Sequence, residues 1–417
     1  MRFHDSALEP SSGYPPSQRG AEALARARVF LRDTALPLCA AYAAEHGDTT
    51  FALEPDGRPS PFVLDFKRRM QMASAEAGLY ALNMPVADGG GGLGPLDLFY
   101  VHEEVFRHGL LGQQWLLAWT EGPTPLLSFC SAEARRRWLP DLLAGRINSA
   151  SAITERGGGS DVTSPVTRAV RDGDGWVLSG HKYLITGAPV VELVLVRVPV
   201  EGGTPGSLTC FVLPIDHPGV TSGPVVQTLL GDGFTGQLAF DGARLGPEHL
   251  IGQEHGGVEL LRFGRNWIRL RRAGMCSGLA RHCLDRSLAY AQERHSFGRP
   301  IAEYGDVGAM LVDSYQDWMA LRSLSIELLA RFQREDVYDA PIGNATRRDL
   351  AMLKTFNEDA LYRVADRAVQ VHGGRGLLTE NGLERIFRVA RNLRIPAGTT
   401  EIQRDLIARS LASGDPV

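Results

Sequence analysis

The chain has 417 residues, which is long for a single hydrophobic core, so we expect two or three packed subdomains. Its net charge is −4 and neither sign of charge forms a long run, which gives no electrostatic reason to expect a nucleic-acid or membrane partner. No apolar run approaches the roughly 18 residues that a membrane-spanning helix needs.

The cysteines argue for a reducing compartment. Cys39, Cys130, Cys210, Cys276 and Cys283 show neither a disulfide framework nor the CxxC spacing of a metal site. The N-terminus also lacks the apolar region of a secretory signal. We therefore expect a cytoplasmic protein that holds no metal, and we interpret residues 1–20 as a mobile arm.

The periodicity of apolar residues predicts the order of the domains. Residues 21–147 repeat apolar positions every three or four residues, as helices do, and the tract DGGGGLGPLD at 88–97 interrupts them as a connector. Residues 148–252 form short β-branched and aromatic segments between glycine, proline and aspartate turns. Helical stripes return over 253–417 and favour an antiparallel bundle. The sequence predicts an α+β protein with an N-terminal helical domain, a middle β domain and a C-terminal helical domain.

Two motifs in the β domain are candidates for ligand contact. AITERGGGSD, at Ala152–Asp161, combines three glycines with the hydroxyls of Thr154 and Ser160. Such a turn is able to cradle a diphosphate or the polar edge of a planar ring, and a plain glycine turn is the alternative. YLITGA, at Tyr183–Ala188, is a strand that ends in Thr186, which is weak evidence on its own.

Two further motifs follow long helices in the last third of the chain. ERHSFGRPI, at Glu293–Ile301, ends a helix near Gly298 and exposes Arg294 and Phe297, which suit a phosphate and a ring face. QVHGGRG, at Gln370–Gly376, closes a helix with glycines that permit close approach by a ligand. An ordinary helix C-terminus is the alternative for both.

Other motifs fail on inspection. HEEVFRH, at His102–His108, has Phe106 where the zinc motif HExxH requires histidine. The sequence contains no GxSxG elbow and no Walker loop. Hydrolase, metalloprotease and nucleotide-hydrolysing chemistry therefore have no support in the sequence.

Taken in order, these motifs resemble the acyl-CoA dehydrogenase family of flavoproteins from about residue 20 to residue 411. TERGGGSD is similar to the family's TEPxAGSD turn, ERHSFGRPI to its ERxxFGxPI segment, and the stretch from QVHGG to IPAGTTEIQR to its C-terminal signature. The resemblance implies a helical domain, a β domain and a C-terminal four-helix bundle, assembled as a homodimer or homotetramer. It also implies FAD as cofactor, an acyl thioester of CoA or acyl carrier protein as substrate, and a flavoprotein or oxygen as electron acceptor.

The resemblance assigns roles to single residues. It implies that Thr154 and Ser160 face the flavin ring and diphosphate, and that Thr186 lies near the flavin N5 edge. Thr399 and Glu401 would lie on the turn that covers the cofactor. A larger set would reach the adenine–diphosphate half of FAD in a neighbouring subunit: Arg294, Ser296, Phe297, Gln370, Gly373 and Gly374.

Substrate contacts are implied for Arg269, Ser160 and Gly398. The segment RFGRNWIRLRRAG contains an arginine group: Arg262, Arg265, Arg269, Arg271 and Arg272. These side chains either meet phosphates of the carrier or form a solvated helix face, except Arg269, which the resemblance places near the thioester. Trp115 and Trp119 suggest a restricted acyl pocket, although the acyl group itself is not specified.

Besides Arg156 and Gly158 in the TERGGGSD turn, the sequence departs from the family pattern at four places. Leu184 replaces the tryptophan before the flavin-edge strand end, and Gly305 replaces a glutamine after the FGxPI segment. Ala397 stands where the family's IxEGT turn carries the catalytic glutamate. Some members carry this glutamate before an arginine on the first bundle helix instead, but here Arg269 follows Ile268. Neither usual base is present.

The missing base matters because α,β-dehydrogenation removes a proton from Cα and a hydride from Cβ of the thioester. A carboxylate takes the proton, and losing such a base costs about 10²–10⁴-fold in rate. Three accounts of Ala397 stay open. The chain is an inactivated variant of a dehydrogenase; or it uses its flavin as an oxygenase, oxidase or enoyl reductase, or takes a base from elsewhere such as Glu121; or it is the non-catalytic partner of an active subunit.

Overall fold

A computed structural model describes residues 13–47, 51–118, 121–162, 164–334 and 344–414. The helices are α1 (Gln18–Phe30), α2 (Leu36–His46), α3 (Pro61–Glu76), α4 (Pro95–Phe106), α5 (Gln113–Leu116), α6 (Ala132–Leu143), α7 (Gly257–Glu293), α8 (Gly305–Arg334), α9 (Asn344–His372), α10 (Leu383–Leu393) and α11 (Thr400–Ala412). The strands are β1 (Ser149–Ala152), β2 (Arg168–Asp172), β3 (Gly175–Thr186), β4 (Leu193–Val198), β5 (Thr209–Pro214), β6 (Val220–Ser222), β7 (Thr235–Leu245), β8 (Leu250–Ile251), β9 (His295–Ser296) and β10 (Arg299–Pro300). The predicted order of helices, β domain and helices is confirmed.

The chain divides into two compact units that interleave in sequence. The helical unit comprises Met1–Thr49, Gly94–Gln114 and Arg269–Val417. The sheet unit comprises Thr50–Leu93 and Trp115–Ile268. The predicted domain bounds (21–147, 148–252 and 253–417) follow sequence order instead and stay predictions.

The sheet unit is built around two four-stranded sheets, ordered β1-β4-β5-β8 and β2-β3-β7-β6. Alternate residues of both sheets enter one buried cluster, in which Val194 and Phe211 meet Leu178 and Phe240. The opposite face of β4 packs against α6 through Leu195 and its neighbours. Strand β4 is buried along its whole length, because both of its faces are covered.

The helical unit gathers the long helices. Residues of α4, α7, α8 and α9 share one buried cluster, to which Phe99, Leu270, Leu329 and Leu353 contribute. Helices α4 and α7 approach closely at Gly274, where a Cβ atom would lie 2.6 Å from the carbonyl oxygen of Phe99. Helices α10 and α11 both pack against α9. None of the described helices is both long and apolar enough to cross a membrane.

The expected mobile arm needs a correction at its end. Of the predicted arm, residues 1–20, the first twelve lie outside the described residues. Helix α1 already begins at Gln18, because the Ser17 hydroxyl accepts from the Gly20 amide at 3.1 Å. Asp97 accepts hydrogen bonds from both the amide and the hydroxyl of Ser17 at 2.8 and 2.7 Å. This contact fixes the start of the helix, so residues 17–20 do not belong to an arm.

Candidate active site

In the sheet unit, the TERGGGSD turn lies beside strand β3. The amide of Tyr183 donates to the carbonyl oxygen of Thr154 at 2.9 Å. Glu155 fixes the turn, since it accepts from Lys182 Nζ at 2.9 Å and from the Thr167 amide at 3.1 Å. Burial alone would raise the pKa of Glu155, but the hydrogen bonds from Thr167 and Lys182 outweigh it, so the pKa is lowered. The carboxylate therefore stays ionised and holds the turn in place.

The turn itself and the end of β3 face outward. Ser160 is exposed, and a Cβ atom on Gly157 would meet nothing within 4 Å. Thr186 is exposed at the end of β3, where Leu184 has φ 56° at a register shift in the pairing with β7. Leu184 exposes 46% of its surface. This face therefore offers exposed glycines, two hydroxyls and an apolar side chain to a ligand.

A cleft of about 540 Å³ adjoins this face. Arg156 lies over the ring of Tyr183, 4.4 Å from its centroid, and donates to Gln237 Oε1 at 2.6 Å. His181 also lines the cleft. The sequence pointed to the glycines of this motif, but it gave no sign that Arg156 stacks on a residue of β3.

In the helical unit, the turn at Ala397 has a specialised backbone. Ala397 has φ 62° and Gly398 has φ 92°, both in the left-handed region. L side chains rarely adopt the backbone conformation of Gly398, so glycine is favoured there; a Cβ atom would also lie 2.3 Å from Gln403 Nε2, at the end of a flexible side chain. Thr399 then caps α11 by accepting from the Ile402 amide at 3.3 Å. The turn therefore consists of two successive left-handed residues, and the helix cap at Thr399 follows directly.

A buried ion network supports this turn from below. Arg272 Nη1 donates to Glu358 Oε1 at 2.8 Å, to Leu393 O at 3.2 Å and to Pro396 O at 3.1 Å. Lys354 Nζ donates to Glu358 Oε2 at 2.6 Å. Burial lowers the pKa of Lys354, and the attraction of Glu358 opposes it. Two cations thus share one carboxylate directly under residue 396.

The arginine group divides between the two interpretations that the sequence left open. Arg262 is exposed and pairs with Glu259 at 2.6 Å, so the solvated face is right for this residue. Arg271 and Arg272 are only 4% and 5% exposed, and for them a solvated face is wrong. Arg269, for which no solvated face was predicted, is 6% exposed. Sequence analysis missed the network under the turn because Glu358 lies 86 residues after Arg272.

The ERHSFGRPI segment ends differently from the expectation. Helix α7 ends at Glu293, before the expected end near Gly298. Strands β9 and β10, of two residues each, then form an antiparallel hairpin with Phe297 in its loop. Phe297 has φ 50° and exposes 96% of its surface. Arg294 is exposed, and the carbonyl oxygen of Ser296 accepts from the Tyr304 hydroxyl at 2.8 Å. A left-handed backbone conformation costs free energy for a residue with a bulky side chain. Phe297 therefore exposes its ring in a backbone conformation that is unfavourable for phenylalanine.

The other predicted site residues lie at the ends of helices. Gln370 is exposed near the end of α9, and Cβ atoms on Gly373 and Gly374 would meet nothing within 4 Å. Glu401 is exposed in the first turn of α11. Hydrogen bonds from its own backbone amide and from Thr399 lower the pKa of Glu401, so it is ionised at the positive end of the helix.

The alternative base Glu121 lies in the sheet unit, next to the end of β3. Its Cγ is 3.3 Å from the position of a Cβ on Gly187, the residue after Thr186. Its carbonyl oxygen accepts from the Ser149 amide at 2.6 Å, which ties the segment to β1. Trp119, expected in the acyl pocket, lies outside the described residues.

Comparisons with known proteins agree along the chain. Models of the acyl-CoA dehydrogenase N-terminal, middle and C-terminal domains match residues 62–146, 150–243 and 255–412. A cyclohex-1-ene-1-carbonyl-CoA dehydrogenase of Geobacter metallireducens is 32% identical over 81% of this chain and 88% of its own length. A 3-(aryl)acrylate reductase of Clostridium sporogenes is 26% identical over 86% of this chain and 94% of its own. A solved FAD complex of PigA has a TM-score of 0.80 at 21% identity and covers 96% of this chain and 99% of that one.

Proposed function

This chain belongs to the acyl-CoA dehydrogenase family, and on that premise we propose that it is a FAD-dependent oxidoreductase acting on the α,β-positions of an acyl thioester. The observation that carries the proposal is the turn at Ala397. Its left-handed residues, the Thr399 cap and the contact from Arg272 to Pro396 are all present, while the carboxylate expected at 397 is replaced by a methyl group. These features support the inference that the turn is a catalytic turn in which alanine stands in place of the base.

The residues that we infer to hold FAD suit a flat group that bears phosphates. The open space around exposed Gly157 and the exposed hydroxyl of Ser160 suit phosphate oxygens. Exposed Phe297 suits a ring face and exposed Arg294 a diphosphate of FAD in a neighbouring subunit. FAD, when bound, supplies the acceptor for the hydride that leaves Cβ. One solved relative in fold, PigA, is described as a FAD complex.

The chain's own residues would orient the thioester and hold its α-proton in reach of a base. We infer that Arg269, Ser160 and Gly398 contact the substrate. Glu121 is the candidate for an alternative base, because its side chain runs alongside Gly187 at the end of β3. A carboxylate in such a position takes the α-proton, while donors to the thioester carbonyl stabilise the developing negative charge.

The assembly and the partners follow from the same proposal. Phe297 exposes 96% of its surface, and Leu377 and Leu378 expose 69% and 47%, so the helical unit carries uncovered apolar side chains. We infer a homodimer or homotetramer that covers it. The carrier of the thioester is CoA or an acyl carrier protein, and the electron acceptor is a second flavoprotein or oxygen.

A second candidate is the reverse reaction, reduction of an enoyl or acrylate double bond. The observation that favours it is the relative named 3-(aryl)acrylate reductase, which matches along 86% of this chain. In that direction the protein must deliver a proton to Cα instead of removing one. An alanine at 397 then requires a proton donor elsewhere, and Glu121 is again the nearest carboxyl group to the end of β3 that we identify.

The test is to purify the chain, measure bound FAD per chain, and mix it anaerobically with a panel of saturated acyl thioesters. Bleaching of the flavin absorbance by one of them is the expected result for a dehydrogenase that uses Glu121. Flavin that saturated thioesters do not reduce, but that enoyl or acrylate thioesters reoxidise after it has been reduced chemically with dithionite, identifies a reductase. A protein that binds no FAD contradicts both candidates.

A further inference from the structure

Lys67 is a buried cation to which the described residues give neither a hydrogen bond nor an ion pair. It lies on α3, and only 5% of its surface is exposed. Among the described residues it makes no hydrogen bond and no ion pair. Its Nζ atom lies over the ring of Phe234, 5.8 Å from the ring centroid. Buried charges in proteins are normally paired, because an uncompensated ammonium group is expensive to remove from water.

The surroundings of Lys67 are aromatic on one side. Phe66 and Trp115 meet edge to face with centroids 5.7 Å apart, and Trp115 and Phe234 do so at 6.2 Å. The carbonyl oxygen of Phe234 accepts from the Gly187 amide at 2.7 Å. The aromatic wall beside Lys67 is thus joined to the end of β3, immediately after Thr186.

Charged groups surround Lys67 without neutralising it by contact. Burial lowers its pKa to about 8, against the attraction of Glu121 and Glu192 and with some repulsion from Arg68. Glu192 is already engaged, since Arg68 lies 3.3 Å from Oε1 and the Asn148 amide donates to Oε2 at 2.8 Å. The ammonium group is therefore mainly protonated at neutral pH, with its donors still available.

We propose that Lys67 binds an oxygen substituent on the acyl group, so that the substrates are acyl thioesters bearing a hydroxyl, oxo or carboxylate group rather than plain hydrocarbon chains. The inference rests on the proposed function with Glu121 as the base, because a base at the end of β3 requires the acyl group to lie there too. An ammonium group has three donors and no acceptor, so it recognises an acceptor atom, and beside a methyl group its donors stay unsatisfied. Sites built to hydrogen-bond a polar substrate group reject the analogue without it strongly.

The experiment measures binding and needs no turnover. Non-reactive thioether analogues of acyl-CoA, matched in chain length, end in a methyl, a hydroxyl or a carboxylate, and each is titrated calorimetrically into the FAD-loaded protein. We expect an oxygen-bearing analogue to bind at least about 30-fold tighter than the methyl analogue, and Lys67→Met to reduce that preference to about 3-fold or less. The hydroxyl and carboxylate arms distinguish a neutral from a charged substituent.

A matched control is available one residue away. Arg68→Met removes a positive charge from a side chain that is 55% exposed and already pairs with Glu192. The preference for oxygen-bearing analogues should therefore survive in this variant. Lys67→Met keeps the length and apolar stem of the side chain, and Lys67→Gln, which keeps a neutral donor, should retain part of the preference. Equal binding of methyl and oxygen-bearing analogues, or a preference unchanged in Lys67→Met, overturns the inference and leaves the proposed function standing. Failure of every analogue to bind overturns both.

Discussion

Two buried lysines, one in each unit, differ in whether a carboxylate pairs with their charge. Lys354, in the helical unit, is 1% exposed and donates to Glu358 at 2.6 Å, within the network that also holds Pro396. Lys67, in the sheet unit, is 5% exposed and has no carboxylate in contact among the described residues. A paired buried charge fixes local structure, whereas an unpaired one lowers stability and is available to a ligand. The comparison separates a group that supports a turn from a group suited to recognition.

The largest effect on stability is expected when the carboxylate that pairs with Lys354 and Arg272 is removed. Glu358→Gln leaves Lys354 and Arg272 buried without their common carboxylate, and we expect a loss of about 3–5 kcal/mol in the free energy of unfolding. Urea titration followed by circular dichroism measures it. Asp405→Asn removes an exposed i,i+4 pair with Arg409 and should change stability by no more than about 0.5 kcal/mol. Equal losses in both variants would mean that Glu358 is not the centre of the network.

The opposite sign is expected for the unpaired lysine. A pKa that falls from 10.5 to about 8 on folding corresponds to roughly 3 kcal/mol of lost stability, so Lys67→Met should gain about 1–3 kcal/mol at pH 7. Below pH 8 both states are protonated and the full penalty is present. Between pH 8 and 10.5 the unfolded chain binds more protons than the folded one, so the parent regains stability and the gain from the variant shrinks. A gain that is independent of pH would contradict the assigned ionisation.

The smallest effect concerns the backbone of the turn. Ala397 is held at φ 62°, a conformation that costs a residue with a Cβ roughly 1 kcal/mol and costs glycine little. Ala397→Gly should therefore raise stability by a few tenths to about 1 kcal/mol, since the looser unfolded chain offsets part of the gain. Ala360→Gly, in the buried interior of α9, should instead lower it by about 1 kcal/mol. Thermal unfolding of both variants tests whether the strain at 397 is real.

The order of the elements and the exposed motifs could be predicted from the sequence, because both depend on neighbouring residues. The apolar stripes of α7, α8 and α9 are local patterns, and so are the glycines of the TERGGGSD turn. The long-range pairs could not be predicted. Arg272 meets Glu358 across 86 residues of sequence, and its neighbour Arg271 is compatible with a solvated helix face until the packing of α7 buries it.

Lys67 shows the same limit in a sharper form. It stands in a run of three basic residues, KRR, which reads as an exposed helix face. Only the packing of α3 against Phe234 and the neighbouring aromatic rings separates buried Lys67 from Arg68, whose side chain is 55% exposed. The extent of the N-terminal arm was misjudged for a similar reason, since the contact from Ser17 to Asp97 spans 80 residues.

The measurement that tests the central claim most directly is the rate of anaerobic flavin reduction in Ala397→Glu, compared with the parent and with Ala397→Gln. If the chain is a dehydrogenase scaffold that lacks only its base at 397, the glutamate variant should be reduced by its acyl thioester about 10²–10⁴-fold faster than the glutamine variant, which has the same size but no basic carboxylate. Equal rates in the glutamate and glutamine variants, with FAD bound and with oxygen-bearing thioesters in the panel, would contradict the account.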